Sequence, residues 1–427
     1  MLNYLINVFR LYRGGTGVAK KELIAVVDVG SSKIVALIGE IAADGQVTLL
    51  GVGETTSSGI KKGAIVDIDG TVKAIKTSLE KAEQIVGYGL TSAVVSFTAP
   101  SLISLNNKSV VAVTNLEREI TSEDVNRVLN ATKIVPIPPD KKIIKAIPRF
   151  YTVDGFAGVV DPVGMTGSRL EAETHIIAVA QSTFANLQKV TSKAGLNVLE
   201  FIPAILASAE VVLYPAEKEL GCLLIDIGAG TMELAIYSEG SLFYTGAIPV
   251  GDQYITNDLA IGLRTPIAVA EKIKIEAGTA LASLVQNDEY LEVENVGGTE
   301  KQKVSKQMVA AIIEARVREM LELALKEIKS SGFTGLLPGG VIITGGGAML
   351  PGIKEVAQEI FDLPVRIGVP EGLSNLPVNL INPRYASAIG ALVLAAKQYR
   401  EEPEESSGID FLSGIFQKIK AFFSELF

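Results

Sequence analysis

The stretch "LLIDIGAGTMELAIYSEG" (223–240) constrains the fold more than any other in the chain. An apolar strand ends on Asp226, turns through Gly228 and Gly230, and resumes as a second strand. The pattern has an earlier copy in "AVVDVGSSKIVALIGE" (25–40). Asp28 aligns with Asp226, Gly30 with Gly228 and Lys33 with Thr231, 198 residues apart (226 − 28). Strands are predicted at 23–28, 33–41 and 47–53, then a helix over 70–86 and the strand "AVVSF". The set recurs as strands at 221–226, 231–237 and 241–248, followed by helices. A long helix over 304–331, the strand "GVIITGG" and helices near 351–361 and 384–398 complete the second half. Two such copies argue for a duplicated α/β domain. Residues 99–180 interrupt the rhythm with a strand pair around 103–113, a helix opened by "TSED" with Thr121 as cap, a Pro-rich bend at 136–139 and more short strands.

Composition excludes several chemistries. The 427 residues suffice for two or three domains, and 48% hydrophobic with 20% charged is globular. A net charge of −9 without a long basic run argues against a nucleic-acid partner. A single Cys, Cys222, allows no intrachain disulfide and reads as a small apolar residue in a strand. A single His, His175, removes His-based triads and multi-His zinc sites, and its apolar neighbours give it a structural reading. Residues 1–19 are too short and interrupted for a membrane span and lack a secretory cleavage site. They read as a disordered leader or an early start codon, with a second surface anchor as the alternative.

Phosphates need N–H donors at close range, and glycine lets backbone approach without a Cβ. Two facing hairpins, Asp28-Gly30-Ser31-Ser32-Lys33 and Asp226-Gly228-Ala229-Gly230-Thr231, would hold a polyphosphate between them. Asp28 and Asp226 would lie beside its metal, and magnesium, which keeps several waters, needs few protein ligands. Neither the Walker loop nor the dinucleotide fingerprint fits, because each turn leads into a strand. "VIITGGGAML" (341–350) adds Gly345, Gly346 and Gly347 before a helix at Pro351, bare backbone for a purine or ribose; the alternative is a tight strand-to-helix turn. Glu271 and Lys274 share one helical face, and spacing alone leaves open nucleoside contacts or a solvated face.

These turns, together with "TGGGAML" and "NPRYASAIGAL" (382–392), resemble the actin/Hsp70/sugar-kinase superfamily. Within it the chain looks like the bacterial FtsA cell-division family. The specific marks are "GIKKGAIVDID" (59–69), "DPVGMTGSRLEAETHIIAV" (161–179), "IPVGDQYITNDLA" (248–260) and "EARVREMLEL" (314–323), within roughly 20–396. The resemblance implies a duplicated actin-like (ribonuclease H-like) two-domain α/β fold with an inserted small α+β subdomain and a C-terminal amphipathic helix. Its expected parts are domain 1A (20–98, 181–210, 385–398), insertion 1C (99–180), domain 2A (211–256, 333–384) and subdomain 2B (257–332). An acidic linker (399–408) and a terminal helix (409–427) follow.

It further implies ATP with Mg2+, self-assembly into filaments, docking of the FtsZ C-terminal tail, and later division proteins on 99–180. The place is the cytoplasmic face of the plasma membrane at the division site. By position, Asp28 to Lys33 and Asp226 to Thr231 become phosphate loops. Gly345 to Gly347 with Met349 become the adenosine loop, Gly251 a nucleotide contact, and Glu271 with Lys274 nucleoside contacts. Arg316 and Glu319 match the tail-docking helix; a solvated face is the alternative. Asp252 departs from the family, standing where relatives often have glycine, and is expected to affect cleft closure or metal placement.

The tail can be read independently of resemblance. Its acidic, Pro- and Ser-containing linker should stay solvated. Then Ile409, Phe411, Leu412, Ile415, Phe416, Ile419, Phe422, Phe423 and Leu426 fall within an arc of roughly 160° on a helix. Such a helix is too polar to span a bilayer and suited to lie in its interface, anionic or neutral; docking on its own domain is the alternative. Ordering it costs a sum comparable to what its burial gains, so attachment strengthens when a filament links many copies. A sugar kinase would need a substrate-side base, a type IV pilus assembly protein of the PilM type would be expected to lack the terminal helix, and an Hsp70-like chaperone needs a peptide-binding domain. Any ATPase is expected to be slow, with no general base identifiable.

Overall fold

The computed structural model describes residues 22–42, 46–115, 117–286, 289–297, 301–373 and 375–401. Residues 1–19 and the amphipathic segment 409–427 lie outside the described residues. Two five-stranded sheets with the same connectivity form the body. The first hairpin, Glu22–Val29 and Lys33–Ile41, is antiparallel and continues to Val47–Thr56 on one side. On the other side Ser92–Phe97 and Asn197–Pro203 add in parallel. The second sheet repeats this with Cys222–Ile227, Met232–Ser238 and Ser241–Ile248 antiparallel, then Val341–Thr344 and Val365–Ile367 in parallel.

Five layers result. Helix Ile68–Val86, capped by the Asp67 carboxylate and ended by Gly87 in the left-handed region, lies on the outer face of the first sheet. Gly51 and Gly53 allow it to approach: a Cβ on either would meet a helix carbonyl within 2.6 Å. Helices Ala204–Val212 and Ala386–Glu401 fill the space between the sheets, so close that a Cβ on Gly390 would fall 1.8 Å from the Ala207 carbonyl. Alternation on strand Cys222–Ile227 follows from this sandwich. Cys222 and Leu224 join the core shared with the first sheet, whereas Leu223, Ile225 and Ile227 face the outer helices of the second. Cys222 is thus an apolar core residue, as its sequence context implies.

The inserted segment has its own sheet, in the order Ile103–Ala112, Arg169–Ala180, Lys141–Val153, Phe156–Val159. Helix Ser122–Thr132 covers it, with a complete capping box between Thr121 and Asp124. The pair expected around 103–113 is instead one ten-residue strand whose partner lies at 169–180. A second difference is the hairpin Tyr290–Glu294 with Lys301–Ser305, which shortens the long helix to Lys306–Ser330. The charged alternation of these two strands carries little strand signal.

The inserted sheet fastens to the edge strand Ser241–Ile248 of the second body sheet. Ser104 Oγ donates to the Thr245 carbonyl (2.7 Å) and accepts the Thr245 N–H (3.0 Å), and Asn106 Nδ2 donates to the Phe243 carbonyl (2.9 Å). Side chains thus satisfy an edge that would otherwise expose its backbone groups. His175 is fully buried here, with Nδ1 2.7 Å from Asn106 Oδ1 and Nε2 3.0 Å from Thr245 Oγ1. Arg149, ion-paired with Glu173, lies over the Phe243 ring. Burial, helped by Arg149 and opposed by a backbone hydrogen bond to Phe243, pushes the imidazole down from 6.5 to about 3.

The folded chain therefore keeps His175 neutral while the unfolded chain protonates it below about pH 6.5. The stability this confers is complete above that pH and is lost as pH falls toward 3. Denaturant titrations of the unaltered chain and His175→Gln should show the former losing about 2 kcal/mol more between neutral pH and about pH 5. Equal losses would contradict the buried neutral imidazole.

Candidate functional site

The two Asp-x-Gly turns are local replicas. Gly30 N–H donates to the Lys33 carbonyl (3.1 Å) and Gly228 N–H to the Thr231 carbonyl (2.9 Å). A Cβ on Gly30 would meet that carbonyl at 2.9 Å and one on Gly228 at 3.3 Å. The turns also touch each other: a Cβ on Gly230 would lie 2.6 Å from Ser31 Oγ and 2.8 Å from the Lys62 Cα. Ser31 Oγ accepts the Gly63 N–H (2.9 Å), and the carbonyl of exposed Ser32 accepts the Ser57 N–H (2.9 Å). Gly251 seats the next segment on the second turn. The Gly228 and Ala229 carbonyls accept the N–H groups of Asp252 (2.9 Å) and Gln253 (3.0 Å), leaving 2.4 Å between a Cβ on Gly251 and the Gly228 oxygen. Thr231 is buried behind the turn.

Asp28 and Asp226 end corresponding strands, and each accepts one serine hydroxyl from a helix between the sheets. Ser387 Oγ donates to Asp28 Oδ2 (2.8 Å) and Ser208 Oγ to Asp226 Oδ2 (2.6 Å). Helix Ala204–Val212 follows the first sheet yet holds the aspartate of the second. Helix Ala386–Glu401 follows the second and holds the aspartate of the first. Asp28 is buried and Asp226 half-buried. Burial raises the Asp28 pKa against its Ser387 hydrogen bond. Burial pushes Asp226 up to about 6, with the Ser208 hydrogen bond opposing and the negative charge of Asp28 adding.

Two buried polar atoms beside this pair lack a hydrogen-bond partner among the described residues: Lys33 Nζ and Glu233 Oε1. Lys33 Nζ lies 3.9 Å from Glu54 Oε2 and 3.6 Å from the centre of the Tyr385 ring. Burial and the Arg384 charge lower its pKa to about 8, against Glu54. Ser96 pairs with Asp28 in the parallel ladder, and Glu233 with Asp226 across the second hairpin. Glu233 is 2% exposed and is raised well above the usual carboxylate range by burial, then by the charge of Asp226. Uncompensated polar atoms at such depth are costly unless a ligand or water completes them.

The triple glycine divides into two functions. Gly345 has φ +83°, and a Cβ there would lie 2.3 Å from Asp226 Oδ1; on Gly347 it would lie 2.4 Å from the Ile227 side chain. Packing against the second hairpin demands both glycines. Gly346 alone has room, its nearest neighbour being Asp252 Oδ2 at 3.8 Å. The expected helix at Pro351 begins instead at Ile353, after a short 3-10 turn, Gly346–Met349, whose Met349 side is half-exposed.

Lys274 corrects the solvated-face alternative: it is 7% exposed, 3.0 Å from Glu271 Oε2 and 3.4 Å from Asp252 Oδ1. Glu271 also accepts the Thr256 hydroxyl. The Asp252 carboxylate is therefore matched by an ammonium. Arg316 likewise is paired, with Asp258 and with Glu319 on its own helix, and sits over the Tyr254 ring. Arg318 binds Glu314 and Glu359 beside it. Among the described residues, no group of three or more His, Cys, Asp or Glu side chains is placed to hold a metal.

Sequence reasoning missed Ser208, Ser387, Ser96 and Glu233. A signal for two of them was present, because both serines sit in an Ala-Ser-Ala tripeptide, 207–209 and 386–388, an echo of the hairpin duplication.

Paired sheets of equal order, a helix pair between them and facing Asp-x-Gly turns define an actin-like protein with an inserted domain. Solved structures of that fold align over nearly the whole chain. They include the PilM-PilN type IV pilus biogenesis complex (TM-score 0.61, 14% identity, 89% of this chain and 99% of that one). MreB5 of Spiroplasma citri bound to ADP aligns with TM-score 0.52, 14% identity and the same coverage. The family description "Cell division protein FtsA" matches residues 223–390, and "SHS2 domain inserted in FTSA" matches 100–178. Cell division protein FtsA of Pseudomonas aeruginosa is 40% identical over 87% of this chain and 89% of its own length. The Bacillus subtilis protein of that name is 37% identical over 89% and 84%. The chain belongs to the FtsA family of cell-division proteins.

Lys274→Met should destabilise the protein by about 3 kcal/mol, since it leaves the half-buried Asp252 carboxylate without its cation. Adding Asp252→Asn should restore most of that loss in a double-mutant cycle. Additive losses would show that the two charges are uncoupled.

Proposed function

We propose that the chain binds ATP with Mg2+ between its two turns, assembles into filaments on the cytoplasmic face of the plasma membrane, and tethers FtsZ there during division. The observation that most supports this is the desolvated pair Asp28 and Asp226 with the Lys33 ammonium beside them, which makes no hydrogen bond among the described residues. A polyphosphate would take the cation and the turn N–H groups of Ser31, Ser32, Ala229 and Gly230, since those of Gly30 and Gly228 close the turns themselves. Mg2+ fits the donor set: two hard carboxylates, each with one oxygen already positioned by a serine, and the remaining ligands water and phosphate. When bound, the ion would neutralise phosphate charge and cancel the repulsion between the two aspartates. Gly345, Gly346, Gly347 and Met349 would border the adenosine, with Gly251, Glu271 and Lys274 near the ribose. ADP is bound in the MreB5 structure of like fold, which supports a nucleotide here.

The membrane reading rests on the apolar arc of Ile409, Phe411, Leu412, Ile415, Phe416, Ile419, Phe422, Phe423 and Leu426. Among the described residues no helix is long and apolar enough to cross a membrane. Arg316 and Glu319 provide a charged face for the FtsZ tail, and exposed Ile134, Phe156 and Val160 of the inserted domain provide an apolar one for later division proteins.

Deleting residues 409–427 should abolish pelleting with vesicles in the presence of ATP; unchanged pelleting would refute the anchor. Arg316→Glu should weaken capture of the FtsZ C-terminal tail at least about tenfold through like-charge repulsion and loss of its ion pairs. Unchanged capture with ATP binding intact would remove Arg316 from the site.

A further inference from the structure

The chain enters and leaves its folded body at one end. Helix Ala386–Glu401 starts at the Asp28 end of strand Glu22–Val29, where Ser387 Oγ donates to Asp28 Oδ2 (2.8 Å). Further along, Leu392 lies 3.1 Å from where a Cβ on Gly39 would be, and Gly39 pairs with Ile24. The helix therefore runs antiparallel to the strand, and the exit at Glu401 and the entry at Glu22 share the end away from the aspartate pair. Exposed apolar side chains collect there. Cβ atoms on Gly53 and Gly51 would meet the Ser78 and Ala82 carbonyls in turn, so helix Ile68–Val86 runs toward Val47 and ends with Ile85 exposed. Val47 pairs with Ile41, and Ile41 with Glu22. Lys397 of the exiting helix is ion-paired with Glu210, just before the segment that leads through Leu220 into strand Cys222–Ile227. Leu220 is exposed, as is Leu336, whose carbonyl lies 2.9 Å from a Cβ on Gly221.

The sequence that precedes Glu22 suits such a surface. On a helix, Leu2, Leu5, Ile6, Val8, Phe9 and Tyr12 fall within an arc of roughly 160°, with Asn3, Asn7 and Arg10 opposite. The link that follows, "RGGTGVAKK", is glycine-rich and spans about 15–18 Å. Its charge is the reverse of that at the other exit: Arg10, Arg13, Lys20 and Lys21 here, against Glu401, Glu402, Glu404 and Glu405 there. An anionic surface repels the acidic linker, and in 409–427 Lys418 and Lys420 are balanced by Asp410 and Glu425. We propose that residues 2–13 are a second, cationic interfacial anchor that binds beside 409–427 and selects anionic lipid. The proposal rests on the membrane reading of 409–427 and adds to it a second contact and a lipid preference. A helix this short is marginal in water and orders at the interface. Each anchor alone holds weakly; joined through one end of the body, they act at high effective concentration.

Flotation of the full chain with ATP tests this, on vesicles of pure phosphatidylcholine and on vesicles of equal parts phosphatidylcholine and phosphatidylglycerol. The unaltered chain should bind the anionic vesicles about thirtyfold more tightly at low salt, the effect of two basic side chains at such a surface. The excess should vanish at about 1 M salt. Arg10→Glu with Arg13→Glu should remove the preference while leaving binding to neutral vesicles within about twofold. Leu5→Asp with Phe9→Asp should weaken binding to both vesicles at least about tenfold. An unchanged Tm in each variant shows that the body is folded. Equal affinity of the unaltered chain for the two vesicles would overturn the proposal, as would an anionic preference that survives the Arg variant or full binding by the Leu5 and Phe9 variant. An unaltered chain that floats with neither lipid would remove the membrane reading beneath it.

Discussion

Two carboxylates placed against each other between the halves of the molecule set the conditions for everything around them. Asp28 and Asp226 are each desolvated, and the charge of Asp28 makes ionisation of Asp226 harder still. A fold driven by apolar burial would remove such a pair; this one buttresses it with Ser387 and Ser208. The crossing of the two helices, each holding the aspartate of the other half, makes the geometry of the pair depend on how the halves sit. Any cation bound between them is therefore coupled to the relative position of the sheets. Under the proposed function, that coupling is the physical route by which a bound nucleotide would govern assembly.

The close-packed layers enforce the same dependence. Gly390 against Ala207, Gly230 against Ser31, and Gly345 against Asp226 are contacts with no room for a single methyl group. Interiors packed at this density shift between discrete arrangements and do not deform smoothly. The inserted domain adds a second tie between the halves, because its His175, Asn106 and Ser104 engage the edge strand of the second sheet. A partner pulling on the inserted domain would thus act on the sheet that carries Asp226.

Much of this was legible in the residues. Strand period, glycine turns and the capping signal at Thr121 place the body strands and most helices within a few residues, because those preferences are local. The paired Asp-x-Gly turns were legible because the same motif occurs twice, 198 residues apart (226 − 28). What stayed hidden depends on contacts between distant segments. His175 meets Thr245, Glu233 meets Thr98, and Lys274 meets Asp252, and no spacing in the sequence encodes any of these pairs. The triple glycine carries a packing demand hidden for the same reason: Gly345 and Gly347 lie close against Asp226 and Ile227. The hairpin at 290–305 escaped because each strand is only five residues long and buries a single side chain, Val293 or Val304.

Calorimetric titration of the unaltered chain with ATP, with magnesium present and then chelated, measures most directly whether the buried aspartate pair is a cation-dependent nucleotide clamp. One ATP per chain is expected, with affinity that falls when magnesium is removed. Absence of binding, or binding that is indifferent to magnesium, would contradict the assignment of Asp28 and Asp226.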